Sequence, residues 1–332
     1  MALVDVWFVL IAVLWTGYLC LEGFDFGVGM LLPVVARDET DRRVALGTIG
    51  PVWDGNEVWL LVAGGATFAA FPEWYASLFS GFYLAFLLLL VALILRGIAL
   101  EYRAKEPRWA PVLDRVLTGS SFAAALLLGV ALANIVHGVP LDADHEFTGT
   151  LLTLLHPYAL LGGVTTVLVF ALHGAAFLAL KTDGPVRERA ARVAVTAGLF
   201  AIPAGAAFLL WTLLDGAPAW AVAPVLVAAL GLAGGTLAAA RGRSGRSFTA
   251  TTVAIVAVAV TLFGSLYPDV LPSTTDPDFS LTVVNAASTP YTLTIMTWVA
   301  AVVTPVVLAY QAWTFWVFRR RLTREDVVDA AH

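Results

Sequence analysis

Runs of about 20 apolar residues, the length that crosses a bilayer as a helix, recur from one end of this 332-residue chain to the other. Such runs leave few folds open, because in hydrocarbon every backbone N–H and C=O must find its partner within the protein, a need the α-helix meets inside one segment. Charged residues make up only 13% of the sequence, where a soluble domain carries about 25%. Hydropathy predicts nine transmembrane helices near residues 7–35, 51–70, 78–100, 116–138, 156–180, 193–214, 220–240, 248–267 and 290–318. The expected fold class is an all-α polytopic membrane protein. No basic region precedes the first apolar run, which is longer than a signal-peptide core, so it is expected to remain as an uncleaved span.

The connections alternate in charge. Arg37, Arg42 and Arg43; Arg103, Lys105, Arg108 and Arg115; Lys181, Arg187, Arg189 and Arg192; Arg241, Arg243 and Arg246; and the tail "FRRRLTRED" fall on one side. The opposite loops, "FPEWYAS", "GVPLDADHEF", "LDGAPAW" and "YPDVLPSTTDPDFS", contain no Lys or Arg. Of the 19 basic residues only Arg96 lies outside these sets, near the end of the third span on the same side. The positive-inside rule then puts the N-terminus outside and the C-terminus in the cytoplasm. No long hydrophilic stretch or short repeat interrupts the pattern, and "ARGRSGRSF" reads as a flexible cytoplasmic connection, so residues 1–332 are expected to form a single membrane domain. Nothing in the composition points to a nucleic-acid partner.

Four acids fall inside predicted spans: Glu22 and Asp25 in the first, Asp54 and Glu57 in the second. A charge at bilayer depth costs about 2.5 to 3.5 kcal/mol on insertion scales, so each should face protein or water. Residues three apart share a helix face, and two such pairs on consecutive helices could line one polar seam. Asp54 and Glu57 should lie roughly 5 to 10 Å from the cytoplasmic end of their span, at 1.5 Å per residue, with Glu22 and Asp25 deeper. That descending series has the layout of a proton-entry path. The structural alternatives are that Asp54 caps the start of its helix, and that Glu57 neutralises Arg96 or snorkels to the interface.

Glycines accompany the acids, Gly23, Gly27 and Gly29 in "EGFDFGVGM" and Gly64 and Gly65 in "VAGGATF", and they read as sites of close helix packing. Two of the histidines His137, His156 and His173 could in principle hold a haem, but their spacing does not separate that use from hydrogen bonding, which is the favoured reading; His173 is a weaker candidate for extending the acidic seam. His145 sits in a loop and His332 at the terminus. Trp7, Trp74, Trp109, Trp220 and Trp316 fit aromatic belts at the interfaces. Trp53 and Trp59 flank the acids in "VWDGNEVW", where they could wall a channel or simply pack. The single cysteine, Cys20, excludes an intrachain disulfide and any CxxC metal or redox motif.

The stretches "EGFDFGVGML", "GPVWDGNEVWLLVAGGATFAAFPEWYASLFSGFY" and "RGIALEYRAK", with "SLTVVNAASTPYTLTIMTWVAAVVTPVVLAYQAWTFWVF" near the end, closely resemble subunit II of the bacterial cytochrome bd quinol oxidases. The likeness is strongest over residues 17–105 and 265–326. It implies a heterodimer in the bacterial cytoplasmic membrane with subunit I, which carries the b- and d-type haems and the quinol-oxidising loop. The pair reduces oxygen to water with protons drawn from the cytoplasm. It also implies that this chain supplies no iron ligands of its own. Asp25 matches the acid of the family's "GFDxGVGM" motif, and Asp54, Asn56 and Trp59 match "WDGNxVW", whose acid is associated with a proton route and whose second tryptophan faces a route toward the oxygen-reducing haem. Glu22 stands where relatives have aspartate, and Glu57 where some have glutamine. The sequence leaves open a structural quinone, the type of quinol and a small accessory membrane subunit.

A function of another class, a proton-coupled secondary transporter, would also place acids and glycine-rich helices in the membrane. It would usually show internal repeats, and none is visible here.

Overall fold

The computed structural model describes residues 2–329; His332 lies outside them. The chain forms α1 (Leu3–Val35), α2 (Glu39–Gly47), α3 (Trp53–Ala70), α4 (Pro72–Gly81), α5 (Tyr83–Arg103), α6 (Ala110–His137), α7 (Pro157–Lys181), α8 (Gly184–Leu214), α9 (Val222–Ala240), α10 (Ser244–Leu266), α11 (Pro290–Val317) and α12 (Arg324–Asp329). Eight helices among the described residues are long and apolar enough to cross a membrane: α1 and α5 to α11. The predicted segment 51–70 falls on α3, whose first turns carry Asp54, Asn56 and Glu57 and which is not among those eight.

Several boundaries differ from the hydropathy reading. The predicted span 78–100 is broken at Phe82, where α4 ends and α5 begins; α4 opens with Pro72 at its first position, where a missing N–H costs nothing. In the first basic connection α2 is nucleated by Asp38, whose carboxylate accepts from the Asp41 N–H at 2.9 Å. The sixth span, predicted to begin at 193, starts at Gly184 as α8, because backbone hydrogen bonding continues beyond the apolar stretch that hydropathy detects.

The first helix is the hub, packing against α3, α6, α7 and α10. Its contact with α7 depends on two glycines. A Cβ on Gly27 would lie 2.7 Å from Gly174 Cα, and one on Gly174 would lie 2.6 Å from the Gly27 carbonyl carbon. Gly23 meets the Phe170 ring in the same seam, so the predicted close packing holds for this pair. It fails for Gly64 and Gly65, which have nothing within 4 Å of a built Cβ and line a cavity. Trp7 and Trp74, 4% and 2% exposed, are core residues rather than belt residues; Trp7 Nε1 donates to Thr297 Oγ1 at 3.1 Å.

The two sets of loops that charge separates are gathered at opposite ends. At the basic end Arg189 pairs with Asp41 at 2.6 Å, Arg324 with Asp38 at 2.9 Å, Arg42 with Asp114 at 3.2 Å, and Arg103 with Glu39 at 2.9 Å and with Asp114. The hydrogen bond from the Asp41 N–H, then Arg324, holds the Asp38 carboxyl below its ordinary range. At the other end Val139 N–H donates to the Pro272 carbonyl at 3.0 Å and Ser288 N–H to the Ala70 carbonyl at 2.8 Å. There the strands β1 (Asp269–Leu271) and β2 (Leu281–Thr282) pair antiparallel.

Gly27→Val, which forces α1 and α7 apart, is expected to cost about 1 to 3 kcal/mol, the usual penalty for overpacking. Gly64→Val, which enters open space, should leave the thermal midpoint nearly unchanged. Unfolding of the two variants in detergent, monitored by circular dichroism, checks the contrast.

Candidate functional site

Glu22 and Asp25, three residues apart on α1, are both fully buried, and each meets a different partner. Arg96 Nη1 of α5 lies 2.9 Å from Glu22 Oε2 with both side chains 0% exposed, although the approach is not aligned as a hydrogen bond. Asp25 Oδ2 accepts from Asn56 Nδ2 of α3 at 2.7 Å. Asn56 Oδ1 in turn accepts from Gln311 Nε2 of α11 at 2.9 Å. The Arg96 guanidinium lies 4.8 Å from the Phe26 ring centroid and 6.0 Å from that of Trp53. Four helices therefore converge on one guanidinium, two carboxyls and two carboxamides. The guanidinium, always charged, balances the acids in a place where isolated charges would be costly.

The sequence pattern put Asp54 and Glu57 of α3 opposite this pair. In the structure the α3 side chain that bonds Asp25 is Asn56, which lies between them. Asp54 is exposed on the outer side of α3 and Glu57 is half-buried. It is Glu22, not Glu57, that pairs with Arg96. The expected difference in depth also shrinks. Asp25 lies roughly 15 Å along α1 from its end at Val35, at 1.5 Å per residue, yet it bonds to the first turn of α3. The acids are thus closer to one level than the descending series expected. Trp59 packs against α1, its ring filling the space that a Cβ on Gly17 would need, and Trp53 covers Arg96 and lies beside Gly97.

Arg96 and Gln311 are the site residues that the sequence did not assign to the seam. Arg96 carried a signal, being the one basic residue outside the loop sets. Gln311 carried only its polarity within the apolar "VVLAYQAWTF".

The histidines settle elsewhere. His173 Nδ1 bonds Thr251 Oγ1 at 2.7 Å, its Nε2 lies 3.1 Å from the Cys20 carbonyl, and its ring stacks on Phe248 at 4.6 Å. With both nitrogens engaged it serves the packing of α1, α7 and α10 and touches none of the acids. His137 and His156 do come together, with ring centroids 4.7 Å apart and His137 Nδ1 2.6 Å from Asp215 Oδ2. Axial ligands of a haem stand on opposite faces of the macrocycle, and rings this close leave no room for its plane. This pair does not fit the axial positions of a haem, and among the described residues no three His, Cys, Asp or Glu side chains form a group that could hold a metal ion.

Beside the polar cluster, an apolar cavity of about 340 Å³ runs along α3, lined by Trp15, Leu60, Gly64, Phe68, Trp74 and Leu128 among others.

Residues 3–318 match the family model described as cytochrome bd terminal oxidase subunit II. The cytochrome bd-I ubiquinol oxidase subunit 2 of Escherichia coli K12 is 35% identical, over 98% of this chain and 97% of that protein. The cytochrome bd ubiquinol oxidase subunit 2 of Bacillus subtilis is 37% identical, over 97% of each. A chain of the bd oxidase structure from Geobacillus thermodenitrificans superposes with a TM-score of 0.71 at 16% identity, covering 96% of this chain and 97% of that one, which is a likeness of fold.

Arg96→Leu strands two buried acids and is expected to cost about 3 to 5 kcal/mol, the penalty for breaking a buried pair from one side. Adding Glu22→Leu should recover a large part of that loss. Thermal midpoints of the single and double variants provide the measurement, and equal losses in both would assign the effect to packing instead of charge.

Proposed function

Because this chain belongs to the cytochrome bd terminal oxidase subunit II family, we propose that it is the haem-free half of an oxygen-reducing quinol oxidase. In this reading it docks on a haem-bearing subunit I and provides part of the route by which protons and oxygen arrive. The single observation that carries the reading is the family match over nearly the whole chain. No comparable finding favours a transporter. Within the same reading α3 is a ninth span, the N-terminus is external, the basic end faces the cytoplasm of a bacterial cell, and b- and d-type haems reside in the partner. A bound quinone and an accessory subunit are compatible with it.

Asp54 supports the docking. An acid exposed on a helix among spans would face hydrocarbon at a cost of about 2.5 to 3.5 kcal/mol; a partner covering α3 removes that cost. The neighbouring α11, with only Leu293 buried along its length, leaves a broad apolar face beside it on which such a partner can pack. Subunit I, seated over α3 and α11, would enclose Asp54 and turn an exposed carboxyl into a proton-exchanging group at a subunit boundary. From there Glu57, Asn56, Asp25 and Glu22 lead inward. Arg96 keeps the inner acids from being a net burden of two charges. The apolar cavity along α3, beyond Trp59, suits a small apolar molecule such as oxygen, which concentrates in lipid.

Reduced-minus-oxidised absorbance spectra of the purified complex test the assignment. Bands of b- and d-type haems are expected from the complex, and no stoichiometric haem from this chain expressed alone. A stable, haem-loaded single chain would overturn it.

The two acids of α3 should differ in a second experiment. Asp54→Asn keeps the shape and much of the hydrogen bonding but cannot carry a proton, so haem content should stay near normal while quinol-dependent oxygen uptake per haem d slows. Glu57→Gln should be mild. A fully active Asp54→Asn, or one that loses haem because the subunits no longer assemble, would return Asp54 to a structural role.

A further inference from the structure

The carboxamides of Asn56 and Gln311 form a chain with a direction. Gln311 Nε2 donates to Asn56 Oδ1 at 2.9 Å, and Asn56 Nδ2 donates to Asp25 Oδ2 at 2.7 Å. A carboxamide has a donor end and an acceptor end of nearly equal shape. The chain therefore has two self-consistent settings. In one, both donors point toward Asp25, which receives an N–H as a carboxylate does. In the other, both amides are reversed, Gln311 accepts from Asn56, and the Asn56 carbonyl faces Asp25, which must then offer an O–H. Reversing Asn56 alone would set N–H against N–H at Gln311, so the two amides turn together or not at all.

We infer that Gln311 is a positioning residue whose amide fixes the orientation of Asn56, allowing one buried contact to serve Asp25 both with and without its proton. The inference rests on the reading of Asp25 as part of a proton route. Two further observations carry it. Asn56 is fully buried, so no bulk water can replace Gln311 as its partner. And α11, from which Gln311 reaches in, is otherwise held to the body mainly at its ends, by Trp7 against Leu293 and Thr297 and by Lys181 against the Phe318 and Arg320 carbonyls. The seating of this peripheral helix thus reaches the buried acid through one side chain. The other titratable or charged groups around Asp25 are Glu22 and Tyr18 on α1, Glu57 on α3 and Arg96 on α5, and α11 contributes no charge.

The test compares Gln311→Leu, Gln311→Glu, Asp25→Asn and the double variant Asp25→Asn/Gln311→Leu in the assembled complex, each normalised to haem d and assayed for quinol-dependent oxygen uptake across pH. Gln311→Leu, which neither donates nor accepts, is expected to slow uptake by roughly 2- to 10-fold, the worth of one hydrogen bond. Gln311→Glu, as a carboxylate, accepts only and holds Asn56 reversed; it should be slow at alkaline pH and approach wild type at acidic pH, where its carboxyl can again donate. The double variant should be no slower than Asp25→Asn, because Gln311 acts through Asp25. The inference falls if Gln311→Leu is as fast as wild type, if Gln311→Glu follows Gln311→Leu at every pH, or if the double variant shows additive losses. Asp25→Asn separates the two levels: at full speed it removes the proton-route reading and this inference with it, whereas a slow Asp25→Asn beside silent Gln311 variants removes the inference alone.

Discussion

A guanidinium and two carboxyls, all sealed from solvent, set the terms for the centre of this molecule. Glu22 and Arg96 meet with neither side chain exposed, and Asp25 is buried one turn away. Such a group survives at membrane depth only when its members stay together, and that demand fixes much else. It draws the Arg96 side chain from α5 across to α1, calls for Phe26 and Trp53 to cover the guanidinium, and goes with a carboxamide, Asn56, in the first turn of α3 as the partner of Asp25. The glycine contact between Gly27 and Gly174 serves the same end from the other side, holding α7 close enough to α1 to exclude lipid.

The periphery has the opposite character. Along α3, α5 and α11 the exposed side chains are large and apolar, among them Leu61, Phe68, Leu88, Trp298, Val302 and Trp313, as expected of surfaces that meet lipid or another membrane subunit. Asp54 departs from that character without a basic partner, whereas Glu101, exposed at the end of α5, is paired with Lys105. An acid there has no justification in lipid, which is why it supports a partner on this face. In the proposed function, polarity concentrated at this point of an apolar surface is what links the fold to assembly with a partner.

Much of the architecture was legible without coordinates because lipid removes most alternatives. Apolar length located α1 and α5 to α11, and the distribution of Arg and Lys sorted the loops into the two groups that the structure gathers at its two ends. What escaped was whatever depends on a few polar atoms. The break at Phe82 and the short helix α2 lie where hydropathy changes little or belongs to a loop. The seam was legible in part: Glu22 and Asp25 do share a face, yet Asp54 lies exposed and Glu57 only half-buried, and the α3 side chain that bonds Asp25 is Asn56. Gly64 and Gly65 looked like packing residues by the same rule that explains Gly27, and they line a cavity instead.

The sequence by itself determined that this chain lies in a membrane as a bundle of helices, which loops share a side, and which acids had to be shielded, since each follows from the cost of polar atoms and charges in hydrocarbon along a single helix. Only the tertiary structure decided what shields them. Whether Glu22 meets Arg96 or Glu57 does, whether Asp25 meets an acid or an amide, and whether a distant glutamine completes the contact depend on the rotation and depth of one helix against another. Those are set by the sum of many packing contacts between segments far apart in the chain, and no local periodicity records them.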